Sequence, residues 1–276
     1  MKKNWILKLT VIAVIGILFA ACSDDNKDTL SPFEDLVVAD DDTDTDATFE
    51  AIDTEVDIAF LEQNGNLGRA KSGSCPVVVV DSVNHVVTLD FGETNCTRNR
   101  KEFRGKIIIN YTSRPTRVGA SKIITFDNFF VNDNKVEGTR TIENTRLDNA
   151  GGIEQKVTLV GGKITLTDDR TITREADWTR TWLRGDTTTV DDDEFHLDGT
   201  ANGKTRRDVN YNVEIMETLV WKRECKMQGI HLPASGIKKV SADNRPTRTI
   251  DFGDGTCDRQ VVITIDGNSR TVDLGR

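Results

Sequence analysis

Val209-Asn210-Tyr211-Asn212-Val213-Glu214-Ile215-Met216-Glu217-Thr218-Leu219-Val220-Trp221 is the stretch that decides the fold class. Val209, Tyr211, Val213, Ile215, Leu219 and Trp221 share one side of an extended chain. Asp208, Asn210, Asn212, Glu214 and Thr218 take the other. A period of two puts one face in a core and the other in water, as in an antiparallel strand. Working outward, runs rich in β-branched and aromatic residues recur at 77–80, 86–91, 106–112, 122–131, 136–146, 153–160, 163–167 and 170–183. They continue at 237–240, 247–252, 260–266 and 269–274. Turn clusters such as Asp81-Ser82-Val83-Asn84 and Asn132-Asp133-Asn134 separate them, and no helical pattern intervenes. The expectation is an all-β domain over residues 75–276: a large antiparallel sheet, as a curved sheet, sandwich or partly closed barrel.

An internal repeat marks both ends of that domain. Thr88-Leu89-Asp90-Phe91-Gly92-Glu93-Thr94-Asn95-Cys96-Thr97-Arg98 matches Thr249-Ile250-Asp251-Phe252-Gly253-Asp254-Gly255-Thr256-Cys257-Asp258-Arg259. Gly gives the turn its backbone freedom and Asp caps it. Each copy has one cysteine upstream, Cys75 and Cys225, so the repeat favours the disulfides Cys75–Cys96 and Cys225–Cys257. Each closes a loop worth roughly 3–4 kcal/mol on the chain-entropy model. No Cys-x-x-Cys spacing suggests zinc, and no metal or cofactor is expected.

The start of the chain reads as an address. Lys2, Lys3 and Lys8 flank an apolar run from Trp5 to Ala21, the layout of a signal peptide over residues 1–21. It ends in Leu18-Phe19-Ala20-Ala21-Cys22, which resembles the lipobox of bacterial lipoproteins and implies lipidation (palmitate) at Cys22. Ser23, Asp24, Asp25, Asn26, Lys27 and Asp28 resemble the export signal of surface lipoproteins in the Bacteroidetes group. With Val136-Glu137-Gly138-Thr139-Arg140-Thr141 and the repeated turn, most of the chain resembles lipoproteins of that kind. The resemblance implies an outer-membrane, cell-surface location and a membrane partner through the lipid, and it brings no known activity.

Of the formal net charge of −9, the acidic share sits near the N-terminus. Between Ser23 and Glu62 fifteen acidic residues face one base, Lys27, which leaves residues 63–276 close to neutral. A run such as Asp40-Asp41-Asp42-Thr43-Asp44-Thr45-Asp46 repels itself, so residues 22–47 are expected to form a disordered tether. One short amphipathic helix is expected over 48–64, capped by Thr48, with Phe49, Ile52, Val56, Ala59 and Phe60 on one face.

Chemistry is sparse. His85, His196 and His231 lie far apart, outside any His-Glu-x-x-His or Gly-x-Ser-x-Gly pattern. The chain is read as a non-enzyme, with a glycan hydrolase built on paired carboxylates as the alternative. Trp178, Arg180, Trp182 and Arg184 project from one side of a strand, a row that suits sugars or anions if exposed and cross-strand packing if buried. The stretch from Asp186 to Glu194 is expected to form a solvated hairpin tip. A surface binding or scaffold module, with a glycan or envelope protein as partner and no nucleic acid, is the leading expectation. A carrier of lipid or lipoprotein is the alternative, and it would show a concave apolar cavity.

Overall fold

The computed structural model describes residues 36–66, 75–113, 117–147, 152–183 and 192–274. The signal peptide, Cys22, the export signal through Asp28, Arg184 and residues 186–191 lie outside the described residues.

The chain opens with one long helix, α1 (Val37–Asn66), and continues as β1 (Val77–Asp81), β2 (Val86–Asp90), β3 (Cys96–Arg98), β4 (Lys101–Tyr111), β5 (Ser121–Val131), β6 (Asn134–Leu147) and β7 (Ile153–Thr165). β8 (Thr171–Leu183), β9 (Glu194–Lys204), β10 (Asn210–Lys222), a short helix α2 (Arg223–Met227), β11 (Ser235–Ala242), β12 (Arg245–Asp254), β13 (Gln260–Ile265) and β14 (Asn268–Asp273) follow. All strands join one antiparallel sheet of 14, nearly every one pairing with its neighbours in sequence, while β3 extends the β4 hairpin. Such a meander needs only short turns, which is why turn residues punctuate the sequence so regularly. The sheet is open, with β1 and β14 as its edges.

The expected alternation holds along β10: Tyr211, Val213, Leu219 and Trp221 are buried, whereas Asn210, Asn212 and Glu214 are exposed. A shift of register between Glu214 and Leu219 keeps the two halves of the strand on the same core. The expected strands 153–160 and 163–167 are one strand, β7, carried through Gly161 and Gly162 with a register shift against β8. β9 was not expected, because Gly199, Gly203 and Asn202 have little strand propensity. Gly199 is there for space: a Cβ would stand 2.4 Å from the Asp177 carbonyl oxygen.

Both repeat turns are built alike. The Asp90 carboxylate accepts the Gly92 N–H at 2.9 Å and that of Asp251 accepts the Gly253 N–H at 2.8 Å. Both glycines have positive φ, +81° and +90°, and Phe91 and Phe252 are buried. The disulfides are Cys75–Cys96 and Cys225–Cys257, as the repeat implies.

The N-terminal region departs from expectation. The helix begins at Val37, not at Thr48, so residues 37–47 are helical rather than tether. Phe49, Ile52, Val56, Ala59 and Phe60 are buried as expected, and so are Asp41, Asp42, Glu50, Asp53, Glu55 and Asp57. An acidic run on its own repels at i,i+3 and i,i+4 spacing and would stay extended. It is helical here because the sheet curls round it and supplies cations from many directions. Thr45, Thr48 and Thr54 return their hydroxyls to the carbonyls of Asp41, Asp44 and Glu50 at 2.6–2.8 Å, which satisfies them inside the enclosure.

Candidate functional site: an acidic helix in a basic cradle

Basic side chains on the inner face of the sheet face the carboxylates of α1. Near the N-terminal end, Arg174 of β8 reaches Asp42 at 2.5 Å and Asp46 at 3.4 Å, and Lys238 of β11 reaches the same two at 2.5 and 2.8 Å. Arg206, in the turn before β10, pairs with Asp41. Farther along, Lys226 of α2 holds Glu50 at 2.8 Å. Arg140 of β6 makes a two-pronged contact with Asp53 at 2.9 and 2.7 Å, while Arg180 of β8 donates to the same carboxylate at 3.1 Å. Lys122 of β5 holds Asp57 at 2.7 Å, and Arg98 of β3 holds Glu55 at 2.8 Å. Arg140, Arg174, Arg180, Lys122, Lys226 and Lys238 are all buried.

Burial and pairing compete at each of these groups. Burial alone would raise the pKa of Asp57, but Lys122, Arg180 and Arg223 outweigh it and hold the carboxyl below its ordinary value. Asp46 follows the same pattern, burial raising it and Lys238 and Arg174 pulling it down. Lys238 is the converse: burial lowers it, and Asp42 with Asp46 push it above its usual value. For Lys226 burial prevails over Glu50, and its pKa is lowered. Charged partners at these distances offset each other's desolvation, so the set is costly to break singly.

Aromatic rings fill the gaps. Phe60 meets Tyr111 edge-on at 5.4 Å, and Arg180 and Lys226 stand 4.9 and 4.8 Å from the ring of Phe195. A cavity lined by Phe49, Glu50, Arg174, Trp178 and Trp221 holds about 10 Å³ of free space, room for a single water. Buried N–H groups of Arg174 and Trp221 lack hydrogen-bond partners in this region, which a water would serve.

The row chosen from sequence lies inside this interior. Trp178, Arg180 and Trp182 do share one side of β8, as expected, but that side faces the helix and all three are buried. Arg180 donates to Gln155 at 2.7 Å and to Asp53, and the Trp182 Nε1–H donates to Asp193 at 2.8 Å. Asp193 is therefore a buried acceptor at the entry to β9 rather than part of a solvated tip. What sequence reading missed was the partner of this row. The acidic residues of α1 were the signal, since buried arginines require carboxylates.

The histidines serve locally. His85 lies against Tyr111 with ring centroids 5.3 Å apart, and His196 sits 3.3 Å from Glu194 on the outer face. His231 is buried where the ends of the sheet approach each other: its Nε2 is 2.9 Å from the Asn99 carbonyl oxygen. Burial pushes its pKa down to about 4, with Lys101, Lys226 and Arg259 adding to the effect. Arg100 packs closely on Gly229 at the same place, and Arg259 donates to the Gly229 carbonyl at 3.5 Å. The His231–Asn99 and Arg100–Gly229 contacts tie the first repeat to the second. Of the described His, Cys, Asp and Glu groups, only Glu224, Cys225 and Cys257 cluster at metal-ligand spacing, and both cysteines are in the disulfide. No known family, curated protein or solved structure matches the chain.

Proposed function

We propose that the protein is a lipid-anchored outer-membrane lipoprotein displayed at the cell surface, where its β domain acts as a binding or scaffold module for a glycan or envelope protein. The address rests on the lipobox ending in Cys22 and on the acidic stretch after it. The mode of action rests on one geometric observation: the concave face of the sheet is filled by the chain's own helix. A carrier of lipid keeps an apolar cavity there, whereas here α1 packs apolar and ion-paired side chains against that face, and the cavity beside Phe49 and Trp178 has room for about one water. Partners are thus left with the outer face, the turns and the edges. No cofactor or catalytic group enters this reading.

Protease treatment of intact cells tests it. The wild-type protein is expected to be cleaved on intact cells. Cys22→Ser should leave the membrane fraction, and the Asp24→Ala/Asp25→Ala variant should be protected until the outer membrane is permeabilised. A wild-type protein that stays protected on intact cells, and is cut only after permeabilisation, overturns the surface location.

A further inference from the structure

The internal repeat shows what one edge of the sheet lacks. In the second copy, β11 and β12 form the hairpin that ends in Asp251-Phe252-Gly253, and Ile237 stands opposite Asp251. In the first, β1 and β2 form the same hairpin, and Val77 stands opposite Asp90. β1 therefore corresponds to β11. The far side of β11 is covered by β10, with Ile237 beside Glu217, Lys238 beside Ile215 and Lys239 beside Glu214. The far side of β1 has no strand among the described residues. The first copy has an open place where the second has a neighbour.

The side chains of β1 say what fits there. Val78 and Val80 pack against the core, while Val79 points outward and is 54% exposed. The outward residue at the matching place in β11 is Lys239, which pairs with Glu214 at 2.5 Å. β10 alternates polar and apolar residues, so a strand like it would set a polar group against Val79. A strand that is apolar on both faces fits, and β1 itself, Val77-Val78-Val79-Val80, is such a strand. Exposed edges are normally blunted by charge, proline or a bulge. The opposite edge, β14, carries Arg270 and Asp273 among polar neighbours, whereas β1 has a proline and a charge only at its ends, Pro76 before it and Asp81 as its last residue, and neither between Val77 and Val80.

We propose that β1 is the pairing edge for a second copy of this chain, the two β1 strands adding antiparallel about a twofold axis. Main-chain hydrogen bonds then satisfy the free side of both strands, and valine meets valine on each face. The antiparallel sense places the two Asp81 carboxylates at opposite ends of the pair, where they do not repel. The contact is isologous and closes at two copies, which ends growth of the sheet. It does not depend on where the protein resides.

Sedimentation equilibrium on the chain from residue 22, made soluble by Cys22→Ser, tests the pairing over a concentration series. The expected mass is twice that of one chain at the top of the series and falls to one chain on dilution. Val79→Lys should be monomeric throughout, with the melting temperature that wild type has at the dilute, monomeric end of the series, and Thr271→Lys on the opposite edge should leave the dimer intact. As a second arm, Val79→Cys should give a covalent dimer under mild oxidation. A wild-type chain that stays monomeric at every concentration overturns the proposal, as does a dimer that survives Val79→Lys or is lost in Thr271→Lys. Failure of Val79→Cys to cross-link overturns it equally.

Discussion

The two faces of the sheet carry ion pairs of similar geometry in opposite surroundings. On the outer face Lys156 meets Asp177 at 2.6 Å and Lys239 meets Glu214 at 2.5 Å, with side chains between 37% and 59% exposed. On the inner face Arg140 meets Asp53 at 2.7 Å and Lys122 meets Asp57 at 2.7 Å, with side chains at most 7% exposed. Distance does not separate these pairs; solvent does. Water and salt screen the outer ones, so that either partner survives alone. Inside, a charge without its partner has nowhere to go, and the helix and sheet need each other.

The largest effect is therefore expected at Asp53, which takes hydrogen bonds from Arg140 and Arg180 at once. Asp53→Ala takes from two buried guanidinium groups their nearest carboxylate, leaving Arg140 with Glu50 at 3.9 Å and Arg180 with Asp57 at 3.7 Å, and should cost about 3 kcal/mol. Urea denaturation followed by far-UV circular dichroism measures it. An Asp53→Ala protein within 1 kcal/mol of wild type, on the same ~1 kcal/mol scale as an exposed pair, would erase the contrast between the faces.

Acid should act on the interior next, in two separate windows. His231 is neutral when folded, with a pKa pushed down to about 4, and titrates near 6.5 when unfolded. The unfolded chain therefore takes up the proton first. Stability is fully present above pH 6.5 and is lost as pH falls toward 4, by about 3 kcal/mol for a shift of this size. Asp57 and Asp46 are held below the ordinary carboxylate value, so their contribution is present above about pH 4 and is lost at lower pH. Asp44, pushed up to about 6 mainly by burial, works in the opposite sense between pH 6 and 4. A comparison of wild type with His231→Gln cancels that part. The variant should lose about 3 kcal/mol less than wild type between pH 7 and 4, and equal losses would show that His231 is not sealed from protons.

How much of this was legible in the sequence depended on whether a residue's partners lay nearby. The strands were legible, since alternation in 209–221 and turns such as Asp81-Ser82-Val83-Asn84 are local properties. The disulfides followed from a repeat, which carries long-range information in one dimension. Residues 37–47 misled because the local physics is correct: Asp40 to Asp46 repel one another, and what folds them is Arg174, Arg206 and Lys238, more than a hundred residues away. Trp178, Arg180 and Trp182 were found to share one side of a strand, but a strand pattern cannot tell an inner face open to a ligand from one already filled. β9 was hidden for a related reason. Gly199 looks like a loop residue until Trp178 and the Asp177 carbonyl are seen against it.

The smallest expected effect completes the comparison. Lys156 and Asp177 lie across neighbouring strands on the outer face, with side chains 48% and 59% exposed. Thr179 of β8 stands directly opposite Lys156, and Thr158 of β7 opposite Asp177, so removal of either charge leaves a polar, hydrated surface behind. Lys156→Ala, Asp177→Ala and the double variant should each lie within about 0.5 kcal/mol of wild type, with a coupling that fades further in salt. A double-mutant cycle by urea denaturation at low and high ionic strength measures that coupling. A value near that of Asp53, or one insensitive to salt, would mean that the outer face shares the interior's energetics and that burial is not what divides them.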